Sequence, residues 1–239
     1  MILKSNKHIN NFYLIIFIIS VTGFLLRLLG INWDQGNLFH PDERQLLMLS
    51  QEMTFRNLDP GWYNYGTLPL YILEFLSIGI EDMRNLRFPG RIMSSLFDSI
   101  TIFIVGELGK RFHSKLCGII SSILYSTCVI ALQLSHFFTV DTFLNTSIIL
   151  IFFLCSNLIK KNNVNNRTFL GIAIGVGFAI KISIFMIAFP VLASLIISSK
   201  LKINYKEFKI QNFIFFVKSG LYISLISIFS FCILNPYSI

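Results

Sequence analysis

Charged side chains are scarce in this sequence. Asp, Glu, Lys and Arg make up 13% of its 239 residues, whereas hydrophobic residues make up 54% and the mean hydropathy is +0.68. A soluble domain carries roughly 25% charged residues. The shortage of charge therefore argues against a soluble domain and predicts an integral membrane protein with several spanning segments.

Other familiar patterns are missing as well. The four cysteines lie inside apolar segments without metal-ligand spacing, which indicates small buried side chains. No internal repeat, linker or low-complexity stretch marks a boundary, so we predict a single domain over residues 1–239. The N-terminal apolar run lacks a small-residue cleavage site and is too long for the core of a signal peptide, which predicts a retained anchor.

Five apolar segments are long enough to cross a bilayer, because a spanning helix needs roughly 20 residues. They cover residues 11–31, 91–109, 116–134, 142–159 and 212–234. A sixth stretch, 168–198, would form a single helix of about 46 Å, which is longer than the hydrocarbon core of roughly 30 Å. Lys181 near its middle would also be expensive in lipid. We therefore predict two short helices, 168–180 and 182–198, with Lys181 at the turn between them.

The distribution of charge predicts the topology. If the N-terminus is cytoplasmic, the cytoplasmic segments hold 12 of the 20 basic residues, and the long loop 31–90 on the other side holds eight of the 12 acidic residues. This arrangement follows the positive-inside rule. It also accounts for the net charge of +8 without a nucleic-acid partner. A single span through 168–198 would move a loop with four lysines to the outer side, which again favours two crossings.

The loop 31–90 is too long to be a simple connector. Within it, Thr67 to Ile80 is apolar but has only 14 residues, which suits an interfacial helix better than a span. Aromatic residues cluster at its start, as they do at headgroup depth. The predicted fold class is therefore all-α, a polytopic transmembrane bundle with a long outer loop (32–90) that contains juxtamembrane helices.

The acidic pair Asp42-Glu43 lies in this outer loop, about a dozen residues beyond the first span. Two adjacent carboxylates there can deprotonate a hydroxyl or hold a divalent cation, although no ligand spacing requires a metal. The alternative is the start of a helix. Asp and Glu favour the first turn of a helix, and Pro41 suits its first position.

Further polar residues are predicted at the same outer face. His136 and Asp141 flank the boundary between two spans, Arg91 follows two other arginines into a span, and Lys181 is at the proposed turn. Cations suit a phosphate group. The alternatives are a helix cap for Asp141, an interfacial hydrogen bond for His136, headgroup contacts for the arginines and snorkelling for Lys181. Asp98, inside a span, is expected to pair with a neighbouring helix.

A series of short motifs runs along almost the whole chain. In order it comprises Phe39-His-Pro-Asp-Glu43, Asn57-Leu-Asp-Pro60, Trp62-Tyr63, Tyr65-Gly-Thr-Leu-Pro-Leu-Tyr71, Arg91, Gly109-Lys-Arg111, Ser135-His136, Asp141, Gly171, Gly175, Gly177, Lys181 and Asn235-Pro-Tyr237. This series resembles that of the GT-C membrane glycosyltransferases related to protein O-mannosyltransferases and bacterial aminoarabinose transferases. Members of that family are considerably longer, so the resemblance is to their N-terminal portion.

The resemblance implies transfer of a sugar from a polyprenyl-phosphate donor to a protein or lipid acceptor, at the outer face of a bacterial inner (plasma) membrane. It implies that Asp42 is the catalytic base or an acid that orients the acceptor, that Glu43 supports it, and that Asp141 is a second carboxylate near the donor. A single displacement with one base would invert the anomeric carbon.

The same resemblance implies that Arg91 and Lys181 bind the donor phosphate, with His40, His136 and Tyr65 in support. The competing class is a non-enzymatic transporter or lipid-binding subunit. That class explains the spans and Lys181 equally well. It explains less well why the acids concentrate in one outer loop, since a transporter places its polar groups near the midplane.

Overall fold

The fold is entirely helical in the part of the chain that the computed structural model describes, residues 2–54, 56–80, 82–200 and 209–238. Ten α-helices lie within these ranges, and they contain no β-strand. The helices are α1 (Ile2–Leu28), α2 (Pro41–Glu52), α3 (Leu68–Leu76), α4 (Met83–Phe112), α5 (Lys115–Ser126), α6 (Val129–Ser135), α7 (Val140–Lys160), α8 (Val164–Phe178), α9 (Ala188–Ser198) and α10 (Ile210–Leu234). The predicted all-α fold class is confirmed. Lys202 and Lys206, two of the four lysines in the predicted cytoplasmic loop after residue 198, lie outside the described residues.

Four of these helices are long and apolar enough to cross a membrane, namely α1, α4, α7 and α10. The bent pair α5 and α6 adds a fifth candidate when it is counted as one span. The protein is therefore a polytopic helical bundle of the integral membrane class. Helix α4 begins well before the predicted residue 91, because Asp82 caps it by accepting a hydrogen bond from the Arg84 backbone N–H at 2.9 Å.

The predicted span 116–134 is bent in the structure. These residues form α5 and α6, which meet at an angle of 55°. At the bend, the Thr127 hydroxyl donates to the Ile123 carbonyl at 3.1 Å, which competes with the helical hydrogen bonds. The Arg27 guanidinium of α1 donates to the Ser126 carbonyl at 3.2 Å. A side chain from another helix thus satisfies a carbonyl that the end of α5 leaves open.

The stretch 168–198 is not one helix. Helix α8 ends at Phe178, a 3₁₀ helix runs from Ile182 to Ile187, and α9 follows, so Lys181 lies in the gap. Nδ2 of Asn162, just before α8, donates to Oγ of Ser198 at the end of α9 at 2.9 Å. The start of α8 and the end of α9 therefore lie close together. That each of these two helical segments crosses the membrane stays a prediction.

The helices form two compact units, and each is described by itself. The first unit comprises Met1–Pro60 and Leu70–Thr146, and the second comprises Gly61–Pro69 and Ser147–Ile239. In the first unit, α4 packs against α1, α2 and α5, and in the second, α8 packs against α10. Small residues permit these close approaches, since a Cβ on Gly175 of α8 would lie 2.5 Å from the Ser227 carbonyl oxygen of α10.

Candidate functional site

The acidic pair of the first unit opens α2. Pro41 is the first residue of that helix, and Asp42 and Glu43 lie in its first turn, where the helix dipole favours negative charge. The two side chains have different surroundings, because Glu43 is fully buried whereas Asp42 is partly exposed. Of the pair, only Asp42 therefore has side-chain surface in contact with solvent.

Glu43 belongs to a buried group of Asp34, Glu43 and Arg91, which we call the acid–arginine cluster. Nε and Nη2 of Arg91 donate to the two Glu43 carboxylate oxygens at 2.7 Å each. Nη1 and Nη2 donate to the two Asp34 carboxylate oxygens at 3.0 and 2.7 Å, and Nη1 also donates to the Ile31 carbonyl at 2.7 Å. A guanidinium has five N–H donors. All five are therefore used within the protein.

This geometry does not fit the predicted contact between Arg91 and a donor phosphate. The side chains of Arg91, Asp34 and Glu43 are all 0% exposed, and the guanidinium keeps no donor for another anion. Glu43 Oε1 also accepts a hydrogen bond from the Phe138 backbone N–H at 2.9 Å. The cluster therefore ties the start of α2 to α4 and to the segment that leads into α7, and Arg91 acts as its internal cation.

Asp34 was expected only as one acid among those of the outer loop. Burial by itself would raise the pKa of Asp34, but hydrogen bonds from Arg91 and from the backbone N–H groups of Gly36 and Leu38 outweigh it and lower the pKa to about 2. The carboxylate is therefore ionised at neutral pH. The pattern Asp-x-Gly is typical of a carboxylate that bonds its own turn, and it marks this residue in the sequence.

Asp141 lies in the first turn of α7 and is partly exposed. It is inside the helix rather than at its N-cap, because α7 begins at Val140. The hydrogen bond between Glu43 and the Phe138 N–H joins the first turn of α2 to the segment just before α7. The structure thus brings together the helix ends that carry Asp42 and Asp141.

His136 precedes Phe137 in the chain, and His40 packs against the Phe137 ring. The two ring nitrogens of His136 are each 2.7 Å from a backbone carbonyl oxygen, those of Leu132 and Leu29. The ring thus ties the end of α6 to the segment that follows α1. The His40 ring lies 4.5 Å from the Phe137 ring, and its Nδ1 has no partner among the described residues.

The predicted divalent cation finds no ready set of ligands in the described part of the chain. No group of three or more His, Cys, Asp or Glu side chains there is arranged to hold a metal ion. Glu43, one of the two adjacent carboxylates considered for the cation, already receives hydrogen bonds from Arg91 and from the Phe138 N–H. In the acid–arginine cluster, the Arg91 guanidinium lies between the two carboxylates, where a metal ion would otherwise bind.

Lys181 lies in the second unit, where the outer segment around Tyr65 meets the gap after α8. The Lys181 Nζ is 5.0 Å from the centre of the Tyr65 ring, a cation–π distance. The Gly66 N–H donates to the Ile180 carbonyl at 2.9 Å, and the Leu68 N–H donates to the Ala179 carbonyl at 3.1 Å. Backbone hydrogen bonds thus fix the turn that carries Lys181. We call residues 65–68 and 179–181 the Lys181 junction.

Two further features hold this junction. A Cβ on Gly66 would lie 2.0 Å from the Ala179 carbonyl oxygen, so the close approach requires glycine. The Thr67 hydroxyl donates to Oδ1 of Asn235 at 2.7 Å, which ties the junction to the end of α10. Beside it lies a cavity of about 420 Å³ with mainly aromatic and aliphatic walls, lined by Tyr63, Asn64, Tyr65, Phe178, Ile182, Ser227, Ile228, Phe231 and Asn235.

A second buried polar group in the first unit confirms that Asp98 pairs with a neighbouring helix. Nε of Arg27 in α1 donates to Oδ2 of Asp98 at 2.6 Å, and both side chains are at most 1% exposed. The Tyr125 hydroxyl donates to Oδ1 of Asp98 at 2.6 Å, and Nδ2 of Asn145 donates to the Tyr125 oxygen at 2.5 Å. Arg27 and its role were missed, although a single arginine in an apolar span is itself a sign of a buried partner.

The chain is similar to a known protein family. A family model described as dolichyl-phosphate-mannose-protein mannosyltransferase matches residues 69–228, about two thirds of the chain. The matched range contains Arg91, Asp141 and Lys181, whereas Asp42 and Glu43 precede it. Neither a curated protein nor a solved structure matches the chain.

Proposed function

The chain belongs to the dolichyl-phosphate-mannose-protein mannosyltransferase family, and on that premise we propose that it transfers a sugar from a polyprenyl-phosphate donor to a protein or lipid acceptor. The transfer takes place at the outer face of a bacterial inner membrane. A lipid-linked donor keeps its tail in the bilayer while its phosphate and sugar meet an acceptor from the water. Such a reaction needs a base for the acceptor hydroxyl and a cation for the departing phosphate.

The role of Asp42 as the base for the acceptor is supported by the hydrogen bonds that fix the start of α2. Glu43 is locked by Arg91 and by the Phe138 N–H, so the adjacent Asp42 is held in place while it stays partly exposed. Asp42 then takes the proton of the acceptor hydroxyl as the hydroxyl oxygen attacks the anomeric carbon. Because one base serves a single displacement, the configuration at that carbon inverts. Asp141 is the second carboxylate of the reaction.

The donor side is assigned to the Lys181 junction. An ammonium group near the membrane surface attracts anions, and the phosphate of a lipid carrier is such an anion. Tyr65 holds Lys181 through its ring face, and the aromatic and aliphatic cavity beside the junction suits the first part of a polyprenyl chain. The phosphate role therefore rests on Lys181, and Arg91 positions Glu43 and Asp34.

The competing class of a transporter or lipid-binding subunit gains no support from the buried polar groups. A transporter exposes such groups to a pathway near the midplane. The Arg27–Asp98 pair is instead enclosed, with both side chains at most 1% exposed. Its hydrogen bonds join α1, α4 and α5.

The test of the base is Asp42→Asn in the full-length protein, assayed with a polyprenyl-phosphate sugar donor. Removal of a general base slows turnover by about 10²–10⁴-fold. Glu52→Gln is the matched control, because Glu52 is exposed at the other end of α2 and should keep normal turnover. A folded Asp42→Asn variant with near-normal turnover would leave Asp42 with only the role of a helix-start residue.

The test of the donor side is Lys181→Met. This change should raise the KM for the donor by about tenfold or more, since a hydrogen bond to a charged group contributes about 1.5–3 kcal/mol. Lys160→Met, at the exposed end of α7, is the control and should leave the KM unchanged. An unaltered donor KM in Lys181→Met would refute the phosphate contact and identify Lys181 as a snorkelling residue.

A further inference from the structure

A polar pocket in the first unit has no role in the chemistry described above. It is formed by the end of α2, the end of α3 and the turn that leads to α4, and its volume is about 460 Å³. We call it the serine–glutamate pocket. Its walls include Ser50, Met53, Glu74, Ser77, Ile80 and Leu86.

The carboxylate of Glu74 is the main charged group of this pocket. Glu74 is partly buried, and burial raises the pKa of its carboxyl. Among the described residues its side chain has neither an ion-pair partner nor a hydrogen-bond donor; only its backbone carbonyl is engaged, by the Ser77 hydroxyl at 3.5 Å. A partly buried carboxylate that no side chain of the described residues pairs is available to bind a ligand.

Ser50 provides a second, independent observation. Its side chain is buried, with 2% exposure, and its Oγ has no hydrogen-bond partner among the described residues. Buried hydroxyls are normally paired, so an unpaired Ser50 hydroxyl in the wall of this pocket indicates a missing ligand. Both side chains line the same pocket, whose other walls include the buried apolar residues Met53 and Leu86.

The chemistry of the ligand follows from these walls. A carboxylate and a hydroxyl accept hydrogen bonds from N–H groups, and a carboxylate binds a cation most strongly. The apolar walls suit an aliphatic stem, which lysine and arginine side chains provide behind their charged heads. The pocket therefore fits a basic side chain.

The serine–glutamate pocket and the proposed base, Asp42, lie on the same helix, α2. Ser50 follows Asp42 by eight positions on α2, which corresponds to about 12 Å along a helix that rises 1.5 Å per residue. An extended peptide rises about 3.3 Å per residue. A peptide whose hydroxyl reaches Asp42 would therefore reach the pocket with a side chain about three or four residues away.

We propose that the serine–glutamate pocket is an acceptor subsite that binds a lysine or arginine side chain of a protein acceptor, three or four residues from the hydroxyl that receives the sugar. This inference rests on the proposed function, and it selects protein over lipid as the acceptor. The Glu74 carboxylate pairs with the lysine or arginine cation. The Ser50 hydroxyl oxygen accepts a hydrogen bond from one of the N–H groups of that cation.

The experiment uses the full-length protein in lipid nanodiscs and fluorescently labelled pentapeptides. Each peptide has threonine at one end and lysine at the other, separated by three alanines, in both chain directions, and norleucine replaces lysine in a matched pair. For one direction, lysine should lower the Kd about tenfold relative to norleucine. Glu74→Gln should abolish this preference, and Ser50→Ala should reduce it. Glu52→Gln, an equal loss of charge at an exposed site nearby, should keep it.

Two outcomes would overturn the subsite: equal binding of the lysine and norleucine peptides to the wild-type protein, or an unchanged preference in a folded Glu74→Gln variant. Sugar transfer to the same peptides is measured separately. If the protein transfers sugar with a KM that is independent of lysine, the subsite is wrong and the proposed function stands. If transfer occurs to lipid acceptors and to none of the peptides, the choice of a protein acceptor is wrong.

Discussion

Replacing Arg91 by methionine tests the acid–arginine cluster most directly. The change removes five hydrogen bonds and leaves the Asp34 and Glu43 carboxylates buried without their cation. Removing one partner of a buried ion pair costs about 3–5 kcal/mol. Because Arg91 serves two carboxylates, we expect a loss of at least that size in the free energy of unfolding at pH 7.

The pKa of Asp34 gives an independent estimate of part of this loss. Its folded-state value of about 2 lies below the ordinary value of 3.8, and each unit corresponds to about 1.36 kcal/mol. Asp34 thus contributes about 2 kcal/mol of stability, which is complete above pH 3.8 and is lost as the pH falls through about 2. Without Arg91 its pKa rises. The loss caused by Arg91→Met should therefore be smaller at pH 4 than at pH 7.

The assay is denaturant unfolding in detergent micelles at several pH values. Arg84→Met is the matched control, because Arg84 is exposed on the same helix and its loss should change stability by less than about 1 kcal/mol. The triple variant Asp34→Asn, Glu43→Gln, Arg91→Met should regain much of the stability, because its three neutral side chains leave no unpaired charge in the interior. A loss below about 1 kcal/mol in Arg91→Met, or a triple variant no better than the single one, would refute the reasoning.

Other variants test the junction, the buried pair and the topology. Gly66→Ala should lower the free energy of unfolding by about 1–3 kcal/mol because its Cβ would overlap a backbone carbonyl, whereas Gly220→Ala, with no neighbour nearer than 3.8 Å, should not. Arg27→Met should destabilise by about 3–5 kcal/mol because it strands a buried carboxylate, and a change under 1 kcal/mol would show that the pair is dispensable. In a chain without native cysteines, a cysteine at Asn57 should react with an impermeant thiol reagent in intact cells. One at Asn163 should not, and its reaction would overturn the predicted topology.

The lengths of the main spanning helices were readable from the sequence because lipid imposes a simple rule. Every backbone group in the membrane must be paired within the helix, so apolar length sets the element. The predicted 142–159 and 212–234 therefore correspond closely to α7 and α10. The bend between α5 and α6 was not readable, since it depends on a guanidinium from α1 that bonds the Ser126 carbonyl.

In the candidate site, too, features set by local sequence were predictable, and features set by contacts between distant residues were not. The gap at Lys181 followed from local information, a charge inside an apolar stretch too long for one span. The role of Arg91 did not, because its carboxylate partners lie 48 and 57 positions away in the chain. A cationic residue type indicates that an anion is near, but only the folded chain decides between a carboxylate and a phosphate. The same limit hid the fact that Glu74 and the Ser50 hydroxyl line one pocket.

The hydrogen bond between Thr67 and Asn235 has a consequence for biosynthesis. The two residues are 168 positions apart, and a ribosome adds about 5–20 residues per second. Thr67 therefore leaves the ribosome about 10–30 s before its partner is made. During this interval the segment that carries Tyr65 and Gly66 has not yet gained its anchor at the end of α10. A nascent chain arrested before Asn235 should thus expose this segment to an externally added protease, and the completed chain should protect it.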